Sequence, residues 1–322
     1  MESWFSYFIL KTAMKKFKLF IALILFVLLS SCHSLVEDEF DNFAQLPVMN
    51  ALLQADGTFN VQISLTANLT DTGLVYVSNA QVIIESKTET PDTLEYTEKG
   101  WYASSRRVKV GETYSCTANI PGYAALSATT TIPLPTVIDS VIYTDLAERG
   151  EEGEKISSVQ FRIQNDVHSV KFWELKLKIR SAGTHYDLDA GDWSDSSYEH
   201  DAYIYIKPEQ NPVFLFEPNP LEIFSNKKIT KDIHWLKFYI NSRYNGFSSS
   251  RRDTAFIELQ NIDVSLYTYQ KQFYIYQSSG QPTLGSSMQN YNLYTNVRNG
   301  LGLFTGTSTT RKDIPVIKKT NQ

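Results

Sequence analysis

Apolar and polar side chains alternate with a period of two through most of this 322-residue chain, and no other feature limits the fold as much. In "VKFWELKLKIRS", Trp173, Leu175, Leu177 and Ile179 share one face, while Glu174, Lys176, Lys178 and Arg180 share the other. Successive side chains of a strand point to opposite sides, so this segment is a strand with one dry and one wet face. The period recurs in "AYIYIKP", "PVFLFEP", "HWLKFYINSR" and "TAFIELQN". Earlier it runs through Phe59, Val61, Ile63 and Leu65, then Val82 and Ile84, then Leu94 and Tyr96, then Tyr114, Cys116, Ala118 and Ile120. Turn signals separate the runs: Asp56-Gly57, which suits a two-residue hairpin turn with positive φ, then Lys99-Gly100, Gly111-Glu112 and Pro121-Gly122. A mainly β fold follows. An immunoglobulin-like β-sandwich is expected over residues 46–135, with Pro133 and Pro135 at its boundary, and a larger antiparallel β domain over 136–322. On this pattern Trp173 and Trp235 are core residues, and Cys116 is a buried strand residue rather than a reactive thiol.

One segment breaks the period. In "DVSLYTYQKQFYIYQSSGQP", Leu266, Tyr269, Phe273 and Tyr276 fall three and four apart, Asp263 can cap the start, and Gly280 with Pro282 can end it. One substantial helix is expected near 263–279, with its tyrosine-rich stripe packed on the sheet rather than forming a ligand box. The glycines of "NGLGLFTG" (Gly300, Gly302 and Gly306) are spaced one residue wider than the dinucleotide-binding fingerprint, and their flanks are strand-like. A final strand is the better reading, with glycines that admit a bulge or the close approach of another backbone.

The amino-terminal stretch supplies an address. Lys15, Lys16 and Lys18 precede an apolar run from Leu19 to Leu29, too short for the roughly 20 residues that span a bilayer but suited to an export leader. It closes on Leu29-Ser30-Ser31-Cys32, which resembles the lipobox of bacterial lipoproteins, where the cysteine is acylated and becomes the new amino terminus. The alternative is a chance cysteine after an ordinary secretory leader. Residues 1–31 are therefore read as a signal peptide, with 1–13 a possible extension ahead of the better basic start at Met14, and 32–45 as an acidic tether. Glu37, Asp38 and Glu39 resemble the signal that sends such lipoproteins to the cell surface; an ordinary solvated linker is the plainer alternative. The leader carries four lysines and one glutamate, so a chain of net charge −5 leaves −8 on the remainder. Nucleic acid and anionic head groups, which need a basic surface, are poor partners for it.

The residues show little chemistry. The five histidines are scattered, and no zinc-binding pattern, cysteine pair or nucleophile elbow occurs, so neither catalysis nor a cofactor is expected. The densest polar stretch, "HYDLDAGDWSDSSYEHD", is read as a solvated loop and a candidate contact surface carrying Asp187, Asp189, Asp192, Trp193, Asp195 and Glu199. Asp187-x-Asp189 begins like a calcium-binding EF-hand loop, but Gly191 and Asp192 then stand in exchanged order and Tyr198 occupies the bidentate position.

The amino-terminal hairpin, "GETYSCTANIPGY", "IDSVIY" after the prolines, the tyrosine-rich helix and "NVRNGLGLFTGTS" together resemble a family of Bacteroidetes outer-membrane lipoproteins. That family carries a domain of unknown function of the four-thousand series, commonly encoded beside TonB-dependent receptors. The resemblance implies a lipid-anchored protein at the outer membrane, exposed at the cell surface, and brings no catalytic residues. Three functions stay open: an accessory or docking partner of an outer-membrane β-barrel, most plausibly a TonB-dependent receptor; an independent binder of glycan or peptide; and a hydrolase whose site is assembled from distant residues.

Overall fold

Pairing of the alternating segments builds a long mixed sheet in which the first and last described strands lie side by side. The computed structural model describes residues 44–67, 73–187, 191–207, 210–214, 222–241, 254–279 and 293–315. From Gln45 onward these belong to one compact unit. A hairpin stands where expected, β1 (Pro47–Gln54) pairing antiparallel with β2 (Thr58–Leu65), but three residues join the strands instead of two, and of the Asp56-Gly57 pair Asp56 alone takes positive φ, at 64°. β3 (Val75–Tyr76) and β6 (Trp101–Arg107) flank β2. β4 (Gln81–Ser86), β7 (Thr113–Asn119) and β8 (Leu126–Thr131) pair in turn, and β5 (Asp92–Tyr96) links β4 to β6. Phe59 on β2 and Tyr114 on β7 meet edge to face at 5.0 Å, and Val61, Ile84, Cys116 and Leu126 fill the space around them. This part is a sandwich with its apolar alternation turned inward.

The second half has its own core. β9 (Ile138–Arg149), β10 (Lys155–Gln164) and β14 (Ile233–Asn241) form a three-stranded antiparallel sheet in the order β14-β10-β9. β11 (Phe172–Asp187) pairs with β12 (Asp192–Ala202), β13 (Ile223–Ser225) and β15 (Thr254–Ile262). Phe161 and Phe238 from the small sheet share a buried cluster with Trp173, Leu175, Leu177 and Leu259 from the large one. The link from the proline segment is pinned inside: the Trp173 indole N–H donates to Thr136 Oγ1 at 2.8 Å, the Asn261 amide donates to the same oxygen at 2.9 Å, and the Thr136 N–H donates to Asn261 Oδ1 at 2.9 Å.

β16 (Leu301–Asp313) differs from the expectation of an antiparallel partner within 136–322. Its first half pairs in parallel with β1, Val48 opposite Leu301 and Gln54 opposite Thr307, and its second half pairs antiparallel with β15. One strand thus belongs to both halves of the sheet, and Phe304 lies in the first core while Ile314 lies in the second. The glycines make this possible. Gly302 sits at φ +113°, and a Cβ there would stand 2.1 Å from the Met49 carbonyl oxygen; a Cβ on Gly300 would stand 2.4 Å from the Pro47 oxygen. The close approach read from the glycine spacing is therefore present, made to β1.

α1 (Val264–Ser279) lies where the spacing placed it, and Asp263 caps it by accepting the Leu266 N–H at 2.8 Å. The same carboxylate accepts from Thr130 Oγ1 at 2.6 Å and Thr305 Oγ1 at 2.5 Å, tying the helix start to β8 and β16. The face turned to the sheet is not the expected stripe. Tyr267 is the buried aromatic, packed with Ile223, Ile262 and Phe172, whereas Tyr269 and Phe273 are half-buried and Tyr276 is exposed. Apolar and aromatic residues ring this helix, so their spacing does not select one side.

Candidate functional site

Strand register sets the floor of an open groove in the described structure. In β1 the residues Val48, Asn50 and Leu52 point away from the sandwich core that Met49, Ala51 and Leu53 enter. Following Asn50 across the sheet, Leu303 of β16, Gln62 of β2 and Trp101 of β6 stand in one cross-strand row. Leu266 and Tyr269 of α1, with Leu293, Tyr294 and Thr295, form the opposing wall. The groove encloses about 940 Å³. Its large side chains are only partly covered: Leu52 is 56% and Trp101 38% exposed.

Several polar groups in and beside the groove are engaged within the fold. Asn50 Oδ1 accepts the Leu303 N–H at 3.1 Å, Thr295 Oγ1 donates to the Gly302 carbonyl at 2.8 Å, and the Gln62 amide donates to the Lys99 carbonyl at 3.3 Å. Thr305 is held by Asp263, as described above. No carboxylate, imidazole or thiol lines this groove among the described residues, so what it offers is apolar contact area.

The sites expected from sequence stand elsewhere. Cys32, Glu37, Asp38 and Glu39 lie outside the described residues, as does Asp189. The acidic stretch is a hairpin rather than a loop, because β12 begins at Asp192 and pairs with β11 up to Asp187 opposite Asp192, with Gly191 at φ 68° in the turn. Trp193 and Asp195 are strand positions opposite Tyr186 and Thr184. Glu199 is drawn into an ion ladder, 2.6 Å from Arg180 and 3.3 Å from Arg311, and the Arg180 hydrogen bond holds its carboxyl below the usual range. Asp201 pairs with Lys178 at 2.6 Å. At this end of the hairpin the acids face a basic row on the neighbouring strand. No cluster of three or more metal-ligating side chains occurs among the described residues.

Other titratable groups are structural. Cys116 is fully buried, and burial pushes its thiol up to about 12, in keeping with the strand-core reading. His234 is held below the ordinary imidazole value by burial. Of the two tryptophans expected in the core, Trp173 is fully buried, but Trp235 is 41% exposed. No described helix is long and apolar enough to cross a membrane.

Comparison with known proteins adds a family. The profile described as "Domain of unknown function (DUF4249)" matches residues 34–313. None of the curated proteins matches the chain. Among solved structures, one from Bacteroides uniformis ATCC 8492, described as a candidate carbohydrate-binding protein, is 12% identical and covers 68% of this chain and 90% of its own, with a TM-score of 0.19. A likeness of that size carries no functional argument.

Proposed function

We propose that this chain, which belongs to the DUF4249 family of domains of unknown function, is a non-enzymatic binding protein whose groove between α1 and the β1/β16 pair receives an apolar segment of a protein partner. One observation carries the reading. Leucine and tryptophan side chains are left open in a groove that no charged side chain lines among the described residues. Covering such surface is worth about 25 cal/mol per Å² before the costs of association.

The partner in this proposal is an outer-membrane β-barrel, most plausibly a TonB-dependent receptor. Acylation at Cys32 would tether the domain to the same membrane, and Glu37, Asp38 and Glu39 would direct it to the cell surface. Tethering raises the effective concentration toward a neighbouring barrel, so a modest groove contact suffices. The β12 strand of the acidic hairpin, with Tyr198 exposed, is the second candidate contact.

The test is site-specific photo-crosslinking in intact cells, with the reactive residue at Leu52 or at Tyr198, followed by mass spectrometry. Adducts with a β-barrel from position 52 are expected; adducts confined to soluble enzymes, or none from either position, would sink the proposal. For the anchor, Cys32→Ala should abolish incorporation of a labelled fatty acid. Equal label in both proteins would overturn that part.

A further inference from the structure

The outer face of the three-stranded sheet carries an exposed indole that the sandwich core does not use. Along β14, Leu236 and Phe238 enter the core while Trp235 and Lys237 face outward. Across the sheet Trp235 stands opposite Arg162, which stands opposite Ser140; in the next row Lys237, Gln160 and Ile142 are neighbours. The Arg162 guanidinium lies 5.6 Å from the centre of the indole, and its Nε donates to Asp139 Oδ1 at 2.6 Å. The Gln164 side chain also donates to Asp139, so the carboxylate holds the guanidinium over one face of the ring and leaves the other face for a ligand.

This grouping leaves a pattern of unmet capacity. Among the described residues, neither the outer nitrogens of Arg162 nor the side-chain amide of Gln160 has a hydrogen-bond partner. A flat apolar ring is thus bordered by open donors and an acceptor on a rigid sheet. Charge narrows the occupant. Arg162 is balanced by Asp139 and Lys207 by Glu148 at 2.8 Å, while Lys237 lies over the neutral Tyr239 ring at 4.9 Å and keeps its charge. The chain as a whole is acidic, with a net charge of −5. A neutral ligand fits this face better than an anionic one.

We infer that the Trp235 face is a platform for a neutral pyranose chain: the C–H face of a sugar ring stacks on the indole, and its hydroxyls bond to Arg162 and Gln160. Sugar rings have one apolar face and an equatorial belt of hydroxyls, which matches an indole ringed by planar amide and guanidinium groups. The platform is independent of the α1 groove, since the two share no residue.

Native affinity electrophoresis of the full chain tests this, with gels containing galactomannan, xyloglucan, β-glucan or dextran, and polygalacturonate as the anionic comparator. At least one neutral polymer should retard the wild type, Trp235→Ala should migrate as in a plain gel, and Gln160→Ala should be retarded less. Leu52→Asp in the groove should be retarded like the wild type, which separates this result from the docking proposal. No retardation by any neutral polymer, retardation by polygalacturonate alone, or equal retardation of the Trp235→Ala chain would each overturn the inference. Thermal melts of both variants establish that a lost shift is not lost folding, and Gln160→Ala keeps the inference open to refutation if Trp235→Ala melts early.

Discussion

Replacing Gly302 by alanine should loosen the contact that unites the two halves of the sheet. The new Cβ would stand 2.1 Å from the Met49 carbonyl oxygen, 2.8 Å from its carbon and 2.9 Å from Asn50 Oδ1. The first two are backbone atoms in a paired strand, so no rotamer change relieves the clash. The residue would also have to hold φ near +113°, a conformation L side chains rarely adopt. Backbone strain of this kind costs about 1–3 kcal/mol and overpacking another ~1–3 kcal/mol, so the variant should lose about 2–6 kcal/mol. That is a large part of a typical stability of about 5–15 kcal/mol. Urea unfolding followed by tryptophan emission and circular dichroism measures it; with a slope of roughly 3 kcal/mol/M the midpoint should fall by about 0.7–2 M. Gly73→Ala is the control, because nothing lies within 4 Å of a Cβ there. If both variants unfold together with the wild type, the parallel register of Met49 with Gly302 is wrong.

Other perturbations follow from buried polar and titratable groups. Thr136→Val removes the oxygen that accepts from both Trp173 and Asn261, leaving two buried donors without it, and should cost about 2–4 kcal/mol in the same urea assay; a loss below ~0.5 kcal/mol would mean that the donors find another partner. Burial, reinforced by Glu174, raises the Glu222 carboxyl from 4.5 to about 7. The native state then holds a proton that the unfolded chain releases, so this contribution to stability is full below pH 4.5, falls as pH rises towards 7 and is gone above it. After discounting for solvent screening the effect is about 1–2 kcal/mol, and Glu222→Gln should flatten the wild-type slope between those values; parallel profiles for the two proteins would refute the assignment. Cys116 should resist a thiol reagent in the native protein and react on unfolding, as mass spectrometry after alkylation can show.

Local features of this chain were legible because their causes are local. The alternation of Phe59, Val61 and Ile63 dictates a strand with one buried face, and Asp56-Gly57 marks the hairpin, although its turn is one residue longer than the two-residue form and Gly57 does not take positive φ. Asp263 reads as a helix cap because a carboxylate at that position can accept the N–H three residues on, and it does. The glycines of "NGLGLFTG" announce a close approach without naming what approaches. Only tertiary structure decided that the partner is β1 and that the pairing is parallel, since a period of two is the same for either direction and for any neighbour. The same reason separates the tryptophans. Trp173 and Trp235 sit in equivalent alternating contexts, yet one faces a second sheet and the other faces solvent, and which side of a strand is covered depends on elements distant in the chain. The groove is the furthest from the sequence: Asn50, Trp101, Tyr269 and Leu303 come together only when the last strand inserts beside the first and carries α1 over it.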